Sequence, residues 1–268
     1  MSRLRAVAAG ALAAAAAHAA FRVLTDRVRS ARWERTNHAG DPVTLLEGPA
    51  YVAGSAVGAL LAGPAGVVAV VGSGGFGALD DLAGDGASKG LKGHLGAAAR
   101  GDITTGFVKI VGIGATGLVA AALADRSRPD VAALDTLVGG AVVAASANLA
   151  NLLDLRPGRA LKATVLAAVP LALSTGSGGV RSAVAAGAAL GVITPDLAGR
   201  AMLGDTGANA AGALLGTALL DTTGRRGRLL ALVGLTALTL ASEKVSFTRV
   251  IESTPGLREL DAWGRPAR

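Results

Sequence analysis

The sequence predicts an all-α integral membrane protein, a single bundle of about nine transmembrane helices. Of the 268 residues, 51% are hydrophobic and only 17% are charged, and the apolar runs are rich in Ala, with 39 glycines and seven aromatic residues. Small residues let helix backbones approach closely in lipid, where bulky side chains add no hydrophobic drive. The apolar content excludes low-complexity disorder, and the absence of cysteine excludes a disulfide scaffold. Backbone groups at membrane depth must bond internally, so these helix-length runs predict helices.

Each predicted helix is an apolar run that crosses, or nearly crosses, a bilayer core of about 30 Å. Short runs remain workable where the bilayer thins or flanking side chains reach the interface. In chain order the runs are 6–24, 49–62, 65–79, 105–124, 131–150, 160–174, 180–195, 208–222 and 229–242. The second and third form a tight hairpin broken at Gly63-Pro64. The first run has an alternative interpretation as a cleaved signal peptide, because it follows a basic start and contains Ala-His-Ala at 17–19.

The distribution of Lys and Arg among the loops predicts an outside N-terminus and an inside C-terminus. Of the 26 Lys and Arg, this topology places 17 on the inner side, 8 on the outer side and Lys109 within a span. The inner segments are 25–48, 80–104, 151–162, 196–207 and the tail 243–268. Arginines beside anionic inner-leaflet lipid explain the net charge of +7, so no nucleic-acid partner is expected. We expect a multi-pass protein of the cell membrane with its site on the cytoplasmic face.

A pair of carboxylates closes the third span, where Asp80 and Asp81 are adjacent. Such neighbours repel unless a cation or a proton lies between them, which makes them costly at a membrane surface. Mg²⁺ is the natural partner, because it binds through one or two carboxylates and keeps positions for phosphate oxygens. Lys89, Lys92 and His94 follow in a Gly-rich loop, where cations on a flexible backbone suit a phosphate. A basic inner-leaflet loop is the plainer interpretation of these three.

Two further polar clusters occur at inner ends of spans. Asn148, Asn151 and Asp154 are spaced by three residues, which predicts that they line one helix face. Hydrogen bonding between helices is the alternative to ligand binding there. Asp205 lies in a Gly-rich turn that opens the eighth span, where helical N–H groups can bind an anion while the carboxylate holds its metal. A helix cap by Asp205 or Thr206 is the plainer interpretation.

All of these clusters fall on the inner side, whereas the outer carboxylates are single residues beside arginines. This convergence favours a metal and phosphate site over separate explanations of each motif. The inner segment 25–48 adds Asn37 as a candidate binding residue, and Asp196 is either a supporting residue or a cap. His38 and His94 lack metal-ligand spacing, so a surface role is the simpler interpretation for each.

Five features in this order resemble the polyprenyl-phosphate N-acetylhexosamine-1-phosphate transferase family, which is related to the phospho-N-acetylmuramoyl-pentapeptide transferases. They are RTNHAG, the double Asp that closes the third span, KGLKGH, NLANLLD and GDTGAN, and they cover roughly residues 20–250. The resemblance implies transfer of a sugar-1-phosphate from a UDP-sugar, such as a UDP-N-acetylhexosamine, to a polyprenyl phosphate with release of UMP. It also implies Mg²⁺ as cofactor, with Mn²⁺ as an alternative ion.

The resemblance assigns catalytic and metal-binding roles to Asp80, Asp81 and Asp205. Its substrate-binding positions are Lys89, Lys92, His94, Asn37, Asn148, Asn151 and Asp154. Three departures mark a divergent, shortened member: Leu155 and Pro157 replace a Gly and a second Asp, the tail has no His-rich segment, and Ala208-Asn209 replaces a hydroxyl and an apolar residue. These departures leave nucleotide-base and sugar recognition open, including a change of donor.

Other functions fit parts of the pattern. A non-catalytic protein that binds a polyprenyl phosphate or diphosphate and hands it to a partner is favoured by the missing His segment and opposed by the retained aspartates. A transporter fits less well, because carriers bind near the bilayer midplane and often contain internal repeats. A lipid substrate implies a groove between spans, lined by Ala, Val and Leu and leading to the carboxylates. Small-residue surfaces are compatible with a homodimer, and nothing in the sequence locates an interface.

Overall fold

A computed structural model describes residues 3–37, 39–83 and 90–266, and 78% of these residues are helical. The helices are α1 (Arg3–Arg27), α2 (Glu47–Ala59), α3 (Pro64–Ala83), α4 (Gly90–Ala99), α5 (Thr105–Asp125), α6 (Ala133–Leu153), α7 (Arg159–Ala172), α8 (Ser177–Leu197), α9 (Gly204–Thr222), α10 (Arg225–Ser242), α11 (Phe247–Ser253) and α12 (Leu257–Ala262). A short antiparallel hairpin, β1 (Glu34–Thr36) with β2 (Pro42–Thr44), precedes α2. Its second strand also bridges Thr44 to Ala201, which ties the hairpin to the segment before α9.

Nine of these helices coincide with the nine predicted runs. Within the described residues, α1, α3, α5, α6 and α8 are long and apolar enough to cross a membrane. Helices α10 and α11 pass the same test only together, as a pair bent by 93°. Helices α2 and α7 have 13 and 14 residues, and at about 1.5 Å per residue they reach roughly 20 Å. The structure therefore supports a helical membrane protein with five or six spanning helices, and the count of nine stays a prediction.

Helix α9 is the centre of the bundle and packs against α2, α3, α6, α7 and α8. Glycine makes close helix crossings feasible: a Cβ on Gly77 of α3 would clash with the carbonyl oxygen of Asp205. Helix α1 packs against α2 and α8 in the same way, through the fully buried Ala9, Ala13 and Ala17. Close packing through small residues is thus what holds the core together, as the composition predicts.

The predicted loop 80–104 contains a helix. Lys92 and His94 belong to α4, so the expectation of a flexible backbone is wrong for this part of the segment. Leu and Ala in GLKGHLGAAA favour a helix and offset the glycines, whose individual propensity penalties are only about 1 kcal/mol. Lys89 and His38 lie outside the described residues.

At the end of the bundle where α5 finishes, buried carboxylates are matched by arginines. Arg228 donates to both carboxylate oxygens of Asp125, at 2.6 and 2.8 Å. Arg181 donates to Asp221 at 2.6 Å. These pairs join α5 to α10 and α8 to α9, so the aspartates at this end have a structural role.

Candidate functional site

Two of the predicted aspartates meet at the ammonium group of Lys109. The Lys109 Nζ donates to Asp80 Oδ2 at 2.7 Å and to Asp205 Oδ2 at 2.6 Å, which joins the end of α3, the start of α5 and the start of α9. These three side chains are only 16–23% exposed. Sequence reasoning placed Lys109 within a span and gave it no role. The signal was present, because an ammonium at membrane depth requires a carboxylate partner.

The neighbouring Asp81 does not face Lys109 but caps α9. Its Oδ1 accepts from the backbone N–H of Asp205 at 3.1 Å, and its Oδ2 accepts from the backbone N–H and hydroxyl of Thr206 at 2.8 and 2.6 Å. The N–H of Gly204 donates to Asp154 Oδ2 at 2.7 Å. The start of α9 was expected to bind a ligand anion, and this is wrong for these N–H groups because the protein's own carboxylates accept from them. Capping comes from α3 and from the end of α6, not from Asp205 or Thr206.

Asn148 and Asn151 face a cavity of about 250 Å³ between α5, α6, α9 and α10, which we call the Lys109 cavity. Lys109 and Asn209 line the same cavity, whose other walls are mostly apolar. Asn148 Nδ2 also donates to Thr239 Oγ1 of α10 at 3.1 Å, so the predicted alternative of a hydrogen bond between helices is present too. The cavity therefore brings amides and an ammonium to an apolar space inside the bundle.

Asp154 belongs to a different group from the two asparagines. Helix α6 ends one residue earlier, and the Asp154 side chain turns towards α9, so the prediction of one shared helix face is wrong for it. Asp154, Asp196 and Glu47 are 5%, 2% and 0% exposed, and none forms an ion pair with a described residue. Burial, and then the negative charge of Asp196, raises the pKa of Asp154 well above its ordinary value. Glu47 is a residue that sequence reasoning missed, although a lone carboxylate opening an apolar helix was a visible signal.

Asn37 lies apart from Lys109, in the turn of the β-hairpin. Together with Asp154 and Asp196 it lines a second cavity of about 190 Å³, between the hairpin, the loop after α6 and the end of α8. We call this space the hairpin cavity. The structure thus separates the predicted site residues into two neighbouring groups.

The cations that follow α6 are engaged by the C-terminal tail. Arg159 donates to both carboxylate oxygens of Asp261, at 2.7 and 2.9 Å. Lys162 Nζ donates to the carbonyl oxygens of Leu260 and Trp263, both at 3.1 Å. These two cations therefore hold α12 in place beside the site.

Two of the three carboxylates that the resemblance assigns to Mg²⁺ are placed so that they could bind one ion. Asp80 and Asp205 converge on one point, and Mg²⁺ is commonly held by one or two carboxylates with phosphate oxygens completing its shell. Asp81 does not fit, because both of its oxygens accept hydrogen bonds from α9. Among the described residues no three His, Asp or Glu side chains are grouped to hold a metal on their own.

The fold and the site define a helical membrane protein with carboxylates and one lysine gathered at one end of the bundle. Comparison with models of known protein families and with curated proteins gives no match. The resemblance to the transferase family rests on the order of the sequence motifs alone and stays a prediction.

Proposed function

We propose that the chain is a membrane phosphoglycosyl transferase that moves a sugar-1-phosphate from a UDP-sugar to a polyprenyl phosphate and releases UMP. The observation that carries the proposal is the meeting of Asp80, Asp205 and Lys109 beside a largely apolar cavity between helices. Transfer between two phosphates depends mainly on positioning and on charge neutralisation. Carboxylates that can share a cation, next to an ammonium, suit that chemistry.

In the proposed reaction an oxygen of the polyprenyl phosphate attacks the phosphorus that carries the sugar. A new P–O bond forms, the bond from that phosphorus to the UMP phosphate breaks, and UMP leaves with the electron pair. Lys109 donates hydrogen bonds to a phosphate oxygen, while Asp80 and Asp205 would hold Mg²⁺. When bound, Mg²⁺ supplies neutralisation of the phosphate charge. Asp81 positions Asp205, because it holds the first turn of α9.

Two cavities support a lipid acceptor. The Lys109 cavity is open to the apolar side chains of α5, α6 and α10. A further cavity, distinct from the Lys109 cavity and the hairpin cavity, has a volume of about 460 Å³. It lies between α6, α7, α9 and α10 and is lined mainly by Ala and Leu. A polyprenyl chain lying along these surfaces would bring its phosphate to Lys109, as the sequence-based expectation of a lateral groove requires.

The proposed setting is the cell membrane, with the nine helices crossing or entering it and the site at the cytoplasmic surface. The excess of Lys and Arg in the inner segments supports this orientation. A nucleotide sugar is a cytoplasmic donor, and its diphosphate would meet the prenyl phosphate at the Lys109 end of the bundle.

One observation favours a second candidate, a non-catalytic protein that binds a polyprenyl phosphate. Lys109 lies between Asp80 and Asp205, where a transferase would need its metal. A binder could use the ammonium for the lipid phosphate without any divalent ion. The two candidates differ in whether a nucleotide sugar is consumed.

The test is UMP release by detergent-purified protein supplied with undecaprenyl phosphate and a panel of UDP-N-acetylhexosamines. We expect release that requires both substrates and Mg²⁺ and falls at least about 100-fold in Asp205→Asn, the scale on which loss of one group that stabilises transition-state charge acts. Asp130→Asn is the matched control, because Asp130 is 73% exposed at the opposite end of the bundle. If the protein binds prenyl phosphate but releases UMP from none of the donors, the transferase hypothesis is refuted and the non-catalytic binding protein takes its place.

A further inference from the structure

The hairpin cavity is lined by a carboxylate with one oxygen that no described residue pairs with. Asp196, near the end of α8, is 2% exposed. Its Oδ1 accepts from the backbone N–H of Gly158 at 2.9 Å, which fixes the carboxylate against the loop after α6. Its Oδ2 is buried and has no hydrogen-bond partner among the described residues. Buried polar atoms are usually paired, so this oxygen indicates a group that enters from the cavity.

The same cavity contains an unpaired donor. Asn37 Oδ1 accepts from the backbone N–H groups of Ala39 and Asp41, at 2.9 and 3.0 Å. These two bonds fix the orientation of the amide, since a flipped group would direct N–H against N–H. Asn37 lines the cavity, and its Nδ2 is the donor that these two bonds leave over; this atom too is buried without a partner among the described residues.

The walls of the cavity decide which chemistry fits between these two atoms. Val43, Pro157 and Met202 supply apolar surface, and Asp154 and Asp196 add two buried carboxyl groups. The one cation among the described lining residues, Arg156, is already paired with Glu252 at 3.3 Å, so the walls offer no unpaired cation to a phosphate. A volume of about 190 Å³ suits a ring or a small substituent rather than a whole nucleotide sugar. Among the described residues, no three His, Cys, Asp or Glu side chains are grouped at this cavity to hold a metal. What remains is a neutral group with a donor next to an acceptor.

We propose that the hairpin cavity binds an amide or imide edge, whose N–H donates to Asp196 Oδ2 and whose C=O accepts from Asn37 Nδ2. The inference rests on the proposed function for the source of that edge, which is either the pyrimidinedione base or the acetamido group of a UDP-N-acetylhexosamine. The imide of the base presents N–H beside C=O on one edge, whereas the acetamido group presents its N–H and its C=O on opposite sides. Asp196 is in either case a residue that sets specificity.

The experiment measures binding of UMP, N-acetylglucosamine-1-phosphate and inorganic phosphate to detergent-purified protein by calorimetry in the presence of Mg²⁺. Asp196→Asn removes the acceptor, and Asn37→Asp removes the donor while keeping the oxygen that accepts from Ala39. We expect each variant to weaken one of the two organic probes at least about 10-fold, the factor that 1.4 kcal/mol represents, and to leave inorganic phosphate unchanged. The weakened probe identifies the source of the edge. Asp130→Asn is the matched control.

Two results would overturn the inference: wild-type protein that binds neither organic probe, or both variants binding both probes as the wild type does. Asn37 lies in the hairpin turn and not in a helix of the bundle, so Asn37→Asp still tests the cavity if Asp196→Asn fails to fold. Turnover separates this outcome from the proposed function. Wild-type UMP release with unaltered binding in both variants refutes the cavity alone, and selective loss of probe binding without any turnover refutes the transferase alone.

Discussion

Replacing Lys109 by methionine is the most direct perturbation of the charge arrangement in the site. The ammonium lies 2.7 Å from Asp80 and 2.6 Å from Asp205, and methionine keeps an apolar stem of similar length without the charge. Removing one partner of a fully buried ion pair costs about 3–5 kcal/mol, since a charge is left uncompensated. The two carboxylates are 17% and 23% exposed. Because water reaches them in part, we expect a smaller loss of about 2–3 kcal/mol in the free energy of unfolding.

The assay is thermal unfolding in detergent near neutral pH, with and without MgCl₂. For chains of about 150–250 residues, 1 kcal/mol shifts Tm by roughly 2–4 °C, so Lys109→Met should unfold roughly 4–12 °C below the wild type without Mg²⁺. If Asp80 and Asp205 then hold Mg²⁺, an ion concentration of about 100 Kd adds about 2.7 kcal/mol and restores most of the loss. Lys244→Met is the matched control, since Lys244 is exposed beyond α10.

The double variant Lys109→Met/Asp205→Asn sharpens the interpretation. It removes the repulsion between carboxylates together with the ammonium, so it should be more stable than Lys109→Met without Mg²⁺ and should gain little when Mg²⁺ is added. Wild-type Tm in Lys109→Met would refute the idea that the carboxylates need this cation. A loss that Mg²⁺ does not reverse would refute Asp80 and Asp205 as a site for the ion.

Two other predictions concern carboxylates with structural roles. Asp81→Asn weakens three hydrogen bonds at the start of α9. Because hydrogen bonds to a charged group contribute about 1.5–3 kcal/mol each, their partial loss should lower the free energy of unfolding by about 2–4 kcal/mol. A Tm equal to that of the wild type would contradict the capping role of Asp81. Burial raises the pKa of Asp261, but the hydrogen bond and charge of Arg159 outweigh burial and hold the pKa below its usual range. A lowered pKa means that ionised Asp261 favours docking of the tail fully above the ordinary Asp pKa of about 3.9, and that this contribution is lost as the pH falls through the lowered pKa of the docked state. A spin label at Ala262→Cys is unique in this cysteine-free chain. The label should stay immobile at neutral pH and become mobile only as the pH falls well below about 4. With Asp261→Asn added, it should be mobile already at neutral pH, and equal mobility in both proteins there would contradict the role of this pair.

The positions of the helices were predictable because each apolar run is long and rich in small residues. Such residues stabilise the fold only where helices pack closely. The meeting of Asp80 and Asp205 was predictable as well. In an antiparallel bundle the end of α3 and the start of α9 lie at the same end. The polar residues at these two positions therefore lie near each other, whatever the order in which the helices pack. The number of spans was not predictable from apolarity alone, since helices such as α2 and α9 are buried by protein and need not be long or strongly apolar.

The division of labour between Asp80 and Asp81 could not be predicted. Adjacent residues of a helix point about 100° apart, so one carboxylate meets α5 and the other meets α9, and the sequence does not say which helix lies on which side. The pairing of Arg159 with Asp261 joins residues 102 positions apart. Such long-range contacts depend on the path of the tail, for which no periodic pattern gives a signal.

The two ends of the bundle neutralise their carboxylates differently, and this difference distinguishes structure from function. Where α5 finishes, Asp125 and Asp221 each form an ion pair with an arginine, so the charge of these carboxylates is compensated without a ligand. At the other end Lys109 pairs with two carboxylates, and one oxygen of Asp196 has no hydrogen-bond partner among the residues that the structure describes. An arrangement that serves stability alone has no reason to leave these groups under-compensated, because an unpaired buried polar group costs free energy. This difference supports the two proposals made above, a cation with phosphates at Lys109 and an amide or imide group at Asp196.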